Sequence, residues 1–294
     1  MYTGARTLWL RFFQCNLQCG GFGQKDPTNP DTYELPFEDF DVSTVNRLED
    51  LPVWKFGCDS SYSWSKKFKH LNHTGTANSI ALELMGLIID ENNPYGTFLH
   101  DKTGQETHMC FTGGEPLLKV NQSNIVSILK EFEQYPGGMM RDTNHRKSSN
   151  LPRYVTFETN GTQKLTKEFV DYFQQHSQYL RVLFSVSPKL FTVSGENNLK
   201  AIHPDTIASY QNTSSKGQLK FVLGKDERQW DEMEECLIKF RSSGVKYPVF
   251  IMPVGATLEA QDDIAGEVAD IALARGYNVA ARVHCNLWGN KIGK

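Results

Sequence analysis

Apolar and polar positions along the chain follow two alternating rhythms. Short runs rich in β-branched and aromatic residues lie at Thr7–Phe13, Thr107–Phe111, Tyr154–Phe157, Leu180–Val186, Gln218–Leu223, Val249–Met252 and Asn278–His284, and read as strands. Between them, apolar residues recur at helical spacing over Asn78–Asp90, Gln122–Tyr135, Thr166–His176, Glu227–Ser242 and Asp262–Arg275. In the last of these the stripe occupies Ile264, Val268, Ile271 and Ala272, and Gly276 after Arg275 is a helix stop. Alternation of strand and helix over most of a chain predicts a parallel sheet with covering helices. Such sheets carry function in the loops at the carboxyl ends of their strands, so the residues that follow each strand are the first place to look for chemistry.

Three segments break the rhythm. Gly20–Gly57 holds four prolines and eight acidic against three basic residues. Pro136–Pro152 is rich in Gly, Asn and Ser with a basic cluster, and Ser194–Lys216 is polar with little periodicity. Each reads as a loop inserted into one compact domain spanning 1–294, with insertions at about 20–57, 136–152 and 194–216.

Composition narrows the class. With 39% hydrophobic and 22% charged residues, the 294-residue chain has the balance of a soluble globular protein. A net charge of −3 provides no broad footprint for nucleic acid. The longest apolar stretch, Ile80–Ile89, is broken by Glu83 and is too short to span a bilayer. The N-terminal residues lack the layout of a signal peptide, so the expected location is cytoplasmic, with neither a membrane nor a nucleic acid as partner. Six cysteines in such a chain are expected as thiols or metal ligands rather than as a disulfide framework.

Two of those cysteines follow the first strand, in Cys15-Asn-Leu-Gln-Cys19. A tight loop there can present both thiolates to one metal centre. The next residue with a thiol is Cys58, in FGCDSSYSW, with 38 residues between it and Cys19. Three thiolates would hold three irons of a [4Fe–4S] cluster and leave the fourth open to chelate S-adenosylmethionine. A zinc site and unrelated buried thiols are the other readings of the cysteines alone. After the second strand comes Thr112-Gly113-Gly114-Glu115-Pro116, where paired glycines allow a close backbone approach and Glu115 offers an acceptor for an ammonium group.

Further phrases join these: YTGARTLWLRFFQCN ahead of the cysteine pair, FTGGEPLL, FETNGT at 157–162, SVSPKL at 185–190 and RVHCNLWGN near the end. In this order, from residue 2 to 290, they resemble the 7-carboxy-7-deazaguanine synthases of the radical S-adenosylmethionine superfamily. The resemblance implies an α/β fold, a partial, open TIM-like barrel of parallel strands (the radical SAM core) carrying inserted loops, with the cluster at its carboxyl-end mouth. It implies a lyase that turns 6-carboxy-5,6,7,8-tetrahydropterin into 7-carboxy-7-deazaguanine with loss of ammonia, in biosynthesis of the queuosine type. The implied cofactors are a [4Fe–4S] cluster, S-adenosylmethionine and Mg²⁺; the implied partners are the pterin, a flavodoxin- or ferredoxin-type reductant and a second copy of the chain in a homodimer.

Carried over residue by residue, Cys15, Cys19 and Cys58 match the cluster ligands. Arg11 matches the substrate arginine, whose guanidinium fork suits a pterin carboxylate. Thr112 matches a substrate-binding hydroxyl, and Ser60 stands where the family has a Thr that binds Mg²⁺. Gly57, Asp59, Gly114 and Glu115, with Ser187, Pro188 and Lys189, match positions that meet the cofactor. Glu158 and Asn160 are expected at the same mouth, while Cys110, Cys236 and Cys285 are expected as packing residues. The family carries a Gln-Gly-Glu-Gly segment ahead of YTG that contributes to the pterin pocket; here that wall is expected to be missing or supplied elsewhere, the acidic insert being one candidate. Action on another small heterocycle, activation of a glycyl-radical partner and a non-catalytic interaction protein on the same scaffold are the alternative functions.

Overall fold

The computed structural model describes residues 4–137 and 150–292, so most of the insertion expected at 136–152 lies outside the described residues. Seven strands form one sheet: β1 (Thr7–Phe12), β2 (His108–Gly113), β3 (Tyr154–Thr159), β4 (Arg181–Val186), β5 (Gly217–Leu223), β6 (Val249–Pro253) and β7 (Asn278–Val279). They pair in chain order, each parallel to the next. The main helices are α1 (Ala77–Gly86), α2 (Lys119–Gln134), α3 (Lys167–Gln175), α4 (Pro204–Tyr210), α5 (Glu227–Ser242), α6 (Ala265–Ala274) and α7 (Val283–Trp288).

Strict chain order with parallel neighbours demands a crossover between every pair of strands. Crossovers of one hand put the helices on one face, and the bare face must then curl inward to be covered. The side chains show that curl. Lys220 on β5 donates to Glu158 on β3 at 3.1 Å, across the intervening β4. Arg282, just beyond β7, bonds Asp59, in the chain that returns after β1, at 2.6 Å. With no β1–β7 pairing among the described residues, the result is an open, barrel-like sheet.

The helix-facing side is built from alternate strand residues. Phe111, Phe157 and Phe184 are in register on β2, β3 and β4, and all are fully buried. Their rings stack at 5.6 and 5.4 Å, and Tyr210 of α4 caps the row at 4.8 Å from Phe184. Aromatic area of this kind dominates the burial energy of a core, and the in-register stacking pins the strand pairing. The opposite, concave positions are polar toward the carboxyl end. Arg11 and Thr112 are register partners there, as are Glu158 and Ser185, and Ser185 and Gln218.

Two segments differ from their sequence patterns. The stretch from Ser194 to Lys216 contains α4, with Pro204 at its first turn and Thr206, Ile207 and Tyr210 buried, so it serves as the β4–β5 crossover. The last strand ends at Val279 rather than at His284. Alternation through Ala281–His284 mimics a strand, but Val283–Trp288 winds into α7 and buries Cys285.

The acidic excursion after Cys19 has a small core of its own. Phe37, Val45, Leu51 and Trp54 are buried together with Tyr62 and Phe68, and Trp54 packs edge-on to Phe40 at 5.2 Å. Its two ends are tied where the Gly57 N–H donates to the Phe22 carbonyl at 2.8 Å. The loop therefore closes on itself and returns the chain to Cys58.

Candidate active site

The site begins where β1 runs out. Gln14 and Cys19 both take left-handed backbone angles, φ +86° and +55°, a conformation that costs about 1–2 kcal/mol for a side-chain-bearing residue. Hydrogen bonds hold the loop there. Gln14 N–H donates to the Ser63 carbonyl at 2.7 Å, and Glu115 N–H donates to the Gln14 carbonyl at 2.8 Å. Gly114 N–H donates to the Phe12 carbonyl at 3.1 Å. Gly113 has φ +139°, and a Cβ on either glycine would collide with the backbone of Phe12 or Gln14. The paired glycines thus admit the cysteine loop itself.

Glu115 is fully buried rather than open to a ligand. Its carboxylate accepts from Leu117 N–H at 2.9 Å, Thr159 Oγ1 at 2.7 Å and Asn160 N–H at 2.8 Å, joining the loops after β2 and β3. Burial pushes its pKa up to about 7, against the pull of these three donors. Asn160, fixed in this way, donates through Nδ2 to Asn16 Oδ1 at 3.0 Å, inside the cysteine loop.

The three cysteines come together. Cys15, Cys19 and Cys58 lie against one small apolar cluster with Leu17 and Ala201. Burial raises all three thiols, Cys15 to about 12, and the Lys189 ammonium opposes the rise at each. Lys189 is aimed by a hydrogen bond from its Nζ to Ser187 Oγ at 3.0 Å and by the Phe22 ring at 5.5 Å. Among the described residues no three His, Cys, Asp or Glu side chains are gathered tightly enough to share one metal ion. A cubane cluster asks for a looser set, because each thiolate binds a different iron. Three soft sulfur donors, Cys19 buried and Cys15 and Cys58 half-buried, with one nearby cation fit that group, whose binding would displace the thiol protons.

Beside the thiols lies a chain of charged groups. Arg11 Nη1 donates to Ser60 Oγ and to the Gly113 carbonyl, each at 3.2 Å, and its guanidinium sits 5.5 Å from the Tyr62 ring. Ser60 donates to Asp59 Oδ1 at 3.2 Å. Asp59 is half-buried, which alone would raise its pKa, but the Arg282 guanidinium holds the carboxyl well below the usual range. Ser60 does not fit a Mg²⁺ ion: it offers one neutral oxygen, already facing the cationic Arg11. Thr112 sits next to Arg11 on β2, and Gly57 precedes Cys58 with φ +78°.

Deeper on the concave face, burial would raise Glu158, but Lys220, with help from Arg11 and Lys189, keeps its carboxyl below its ordinary value. Ser185 Oγ reaches Glu158 at 3.4 Å, and Gln218 Nε2 reaches Ser185 Oγ at 2.9 Å. Among the described residues Gln218 Oε1 is buried without a partner, an acceptor suited to a donor on a bound small molecule. Burial and Arg282 together lower the pKa of His284, which favours its neutral form. Sequence reasoning missed Lys220, Gln218 and Arg282. The first two alternate with the buried Leu219 and Phe221, a period-two signal that marks them as facing the other side of β5.

No protein-family model matches the chain. It is 24% identical over 258 residues to a 7-carboxy-7-deazaguanine synthase of Pyrobaculum aerophilum, covering 84% of this chain and 86% of that protein. It is 27% identical over 201 residues to a 7-carboxy-7-deazaguanine synthase of Halobacterium salinarum, covering 62% and 65% of the two chains. These matches support the family resemblance read from the motifs. A solved structure named "Native anSMEcpe with bound AdoMet" aligns with 98% of this chain and 68% of its own, at 11% identity and a TM-score of 0.45. No helix among the described residues is long and apolar enough to cross a membrane.

Proposed function

We propose that this chain is a radical S-adenosylmethionine lyase that converts 6-carboxy-5,6,7,8-tetrahydropterin to 7-carboxy-7-deazaguanine with loss of ammonia. The observation that carries the reading is the convergence of Cys15, Cys19 and Cys58 beside Arg11 and Thr112, despite the excursion between the second and third cysteine. The names of the two curated relatives support the choice of reaction. Cys15, Cys19 and Cys58 would hold the cluster, which together with S-adenosylmethionine would supply radical hydrogen-abstraction chemistry when bound.

The rest falls to the chain. Arg11 uses Nη1 to brace itself on Ser60 and Gly113, and its Nη2 and Nε make no hydrogen bond among the described residues. That free edge is the fork that takes a carboxylate through two parallel bonds. Glu158, kept ionised by Lys220, is an acceptor for the ring N–H groups of a pterin. The Asp59–Arg282 pair draws the segment after β7 toward the cysteine loop and narrows the opening of the barrel, which limits water. A flavodoxin- or ferredoxin-type protein is the proposed electron donor, and a homodimer the proposed assembly.

Anaerobically reconstituted, reduced protein incubated with the carboxytetrahydropterin and S-adenosylmethionine tests the reading. A product whose mass reflects loss of ammonia is expected. Release of 5′-deoxyadenosine with the pterin unchanged would point to a different substrate.

A further inference from the structure

One charged group held against the cysteine loop has no part in the reading above. Glu196 is only 8% exposed, and its Oε1 accepts the N–H of Gln18 at 2.5 Å and of Cys19 at 2.7 Å. Its Oε2 lies 3.6 Å from Nζ of Lys200, a largely exposed side chain. The chain is shaped to put the carboxylate there. Gly195 takes φ +72°, where a Cβ would strike the Tyr33 hydroxyl. Gly21 N–H donates to the Ser194 carbonyl at 3.0 Å, and a Cβ on Gly21 would fall 2.7 Å from Gly195 N. Two stretches of backbone therefore touch, and Glu196 turns under the loop at that contact.

The chemistry of iron–sulfur loops gives this arrangement a consequence. Net charge near a cluster and hydrogen bonds to its sulfurs set its reduction potential. Backbone N–H groups that donate to sulfur favour the more negative, reduced state. On this loop the N–H groups of Gln18 and Cys19 are committed to a carboxylate, and the carboxylate adds a negative charge beside a ligand. Both effects disfavour the added electron, and the Lys200 cation partly offsets the second.

We propose that Glu196 is a positioning residue that lowers the reduction potential of a cluster held by Cys15, Cys19 and Cys58. It does so by withholding two loop N–H groups from the cluster sulfurs and by placing a negative charge next to Cys19. The assignment rests on the cluster reading above. A strongly reducing cluster is what cleavage of a sulfonium requires, so the carboxylate works in the direction of the proposed reaction.

The test is a redox titration of the full chain, anaerobically reconstituted, for wild type, Glu196→Gln, Glu196→Ala and Lys200→Gln. Iron is counted per chain, and the reduced cluster is followed by visible absorbance and electron paramagnetic resonance. Glu196→Gln keeps an acceptor for the N–H groups and removes the charge, so its reduction equilibrium should become about tenfold more favourable, about 59 mV for one electron. Glu196→Ala also frees the N–H groups and should move at least as far in the same direction. Lys200→Gln should shift by a smaller amount in the opposite direction. Unchanged potentials in Glu196 variants with full iron content overturn the assignment, as does a Lys200→Gln shift of the same sign as Glu196→Gln. Should the Glu196 variants bind less iron, Lys200→Gln decides: a more negative potential supports the assignment, and an unchanged one overturns it. A wild type that takes up no iron overturns the cluster reading, and this assignment falls with it.

Discussion

Replacing Glu115 separates the structural from the chemical share of the Gly-Gly-Glu-Pro loop. The carboxylate is fully buried and accepts three hydrogen bonds, two of them from backbone N–H groups. Truncation to Ala leaves those donors without partners, at about 1–3 kcal/mol each, so Glu115→Ala should cost about 3–9 kcal/mol. That is a large part of the stability of an ordinary domain, roughly 5–15 kcal/mol. Glu115→Gln keeps an acceptor oxygen but turns an N–H₂ toward donors, so a smaller loss is expected. The pH dependence is the sharper test. Burial raises this carboxyl from an ordinary value of 4.5 to about 7 in the folded protein, so between those values the folded state holds a proton that the unfolded state has lost. Stability from this group is therefore full below pH 4.5, falls as pH rises toward 7, and is flat above. At about 1.36 kcal/mol per pH unit the loss amounts to about 3 kcal/mol. Glutamine does not titrate, so the gap between wild type and Glu115→Gln should narrow by about that much from pH 4.5 to 7.5. Urea unfolding of both proteins across this range measures it. A gap that stays constant with pH would refute the reasoning.

Three other outcomes follow from the same geometry. Arg282→Met leaves Asp59 ionised and unpaired; with Asp59 partly solvated, about 2–3 kcal/mol of stability should be lost in urea unfolding at pH 7. That loss should shrink as the pH falls through the depressed folded value of Asp59. Gly114→Ala drives a methyl group into the Gln14 carbonyl, so the cysteine loop must move: about 1–3 kcal/mol should be lost in thermal unfolding, and iron bound per chain should fall below wild type. Arg11→Lys keeps the charge and removes the fork, so KM for the carboxytetrahydropterin should rise about tenfold with iron content unchanged, in steady-state assays.

Much of the fold could be read from the chain because each strand carries its own signal. Apolar runs bounded by turns located all seven strands, and alternation with helices gave the parallel sheet. The failures came where tertiary context decides. Ala281–His284 alternates like a strand, yet the sheet releases the chain at Val279 and α7 forms instead. The polar look of 194–216 hid a crossover helix whose burial rests on a few residues, Thr206, Ile207 and Tyr210. At the site, Cys15, Cys19 and Arg11 stand close in sequence, so their association could be expected. The return of Cys58 could be expected only from the resemblance, because in the fold it depends on the Gly57–Phe22 bond and on the small core of the excursion. Glu196 carried no local motif at all, and Arg282 stood in RVHCNLWGN without an assigned role; only the folded chain sets one under the cysteine loop and the other against Asp59.

The central claim is that Cys58 folds back to complete a cluster site with Cys15 and Cys19. Iron and sulfide counted per chain after anaerobic reconstitution, in wild type and in Cys58→Ala, test it most directly. About four irons per wild-type chain and a marked loss in Cys58→Ala are predicted. A wild type that binds no iron, or a Cys58→Ala variant that keeps the full complement, would contradict the account.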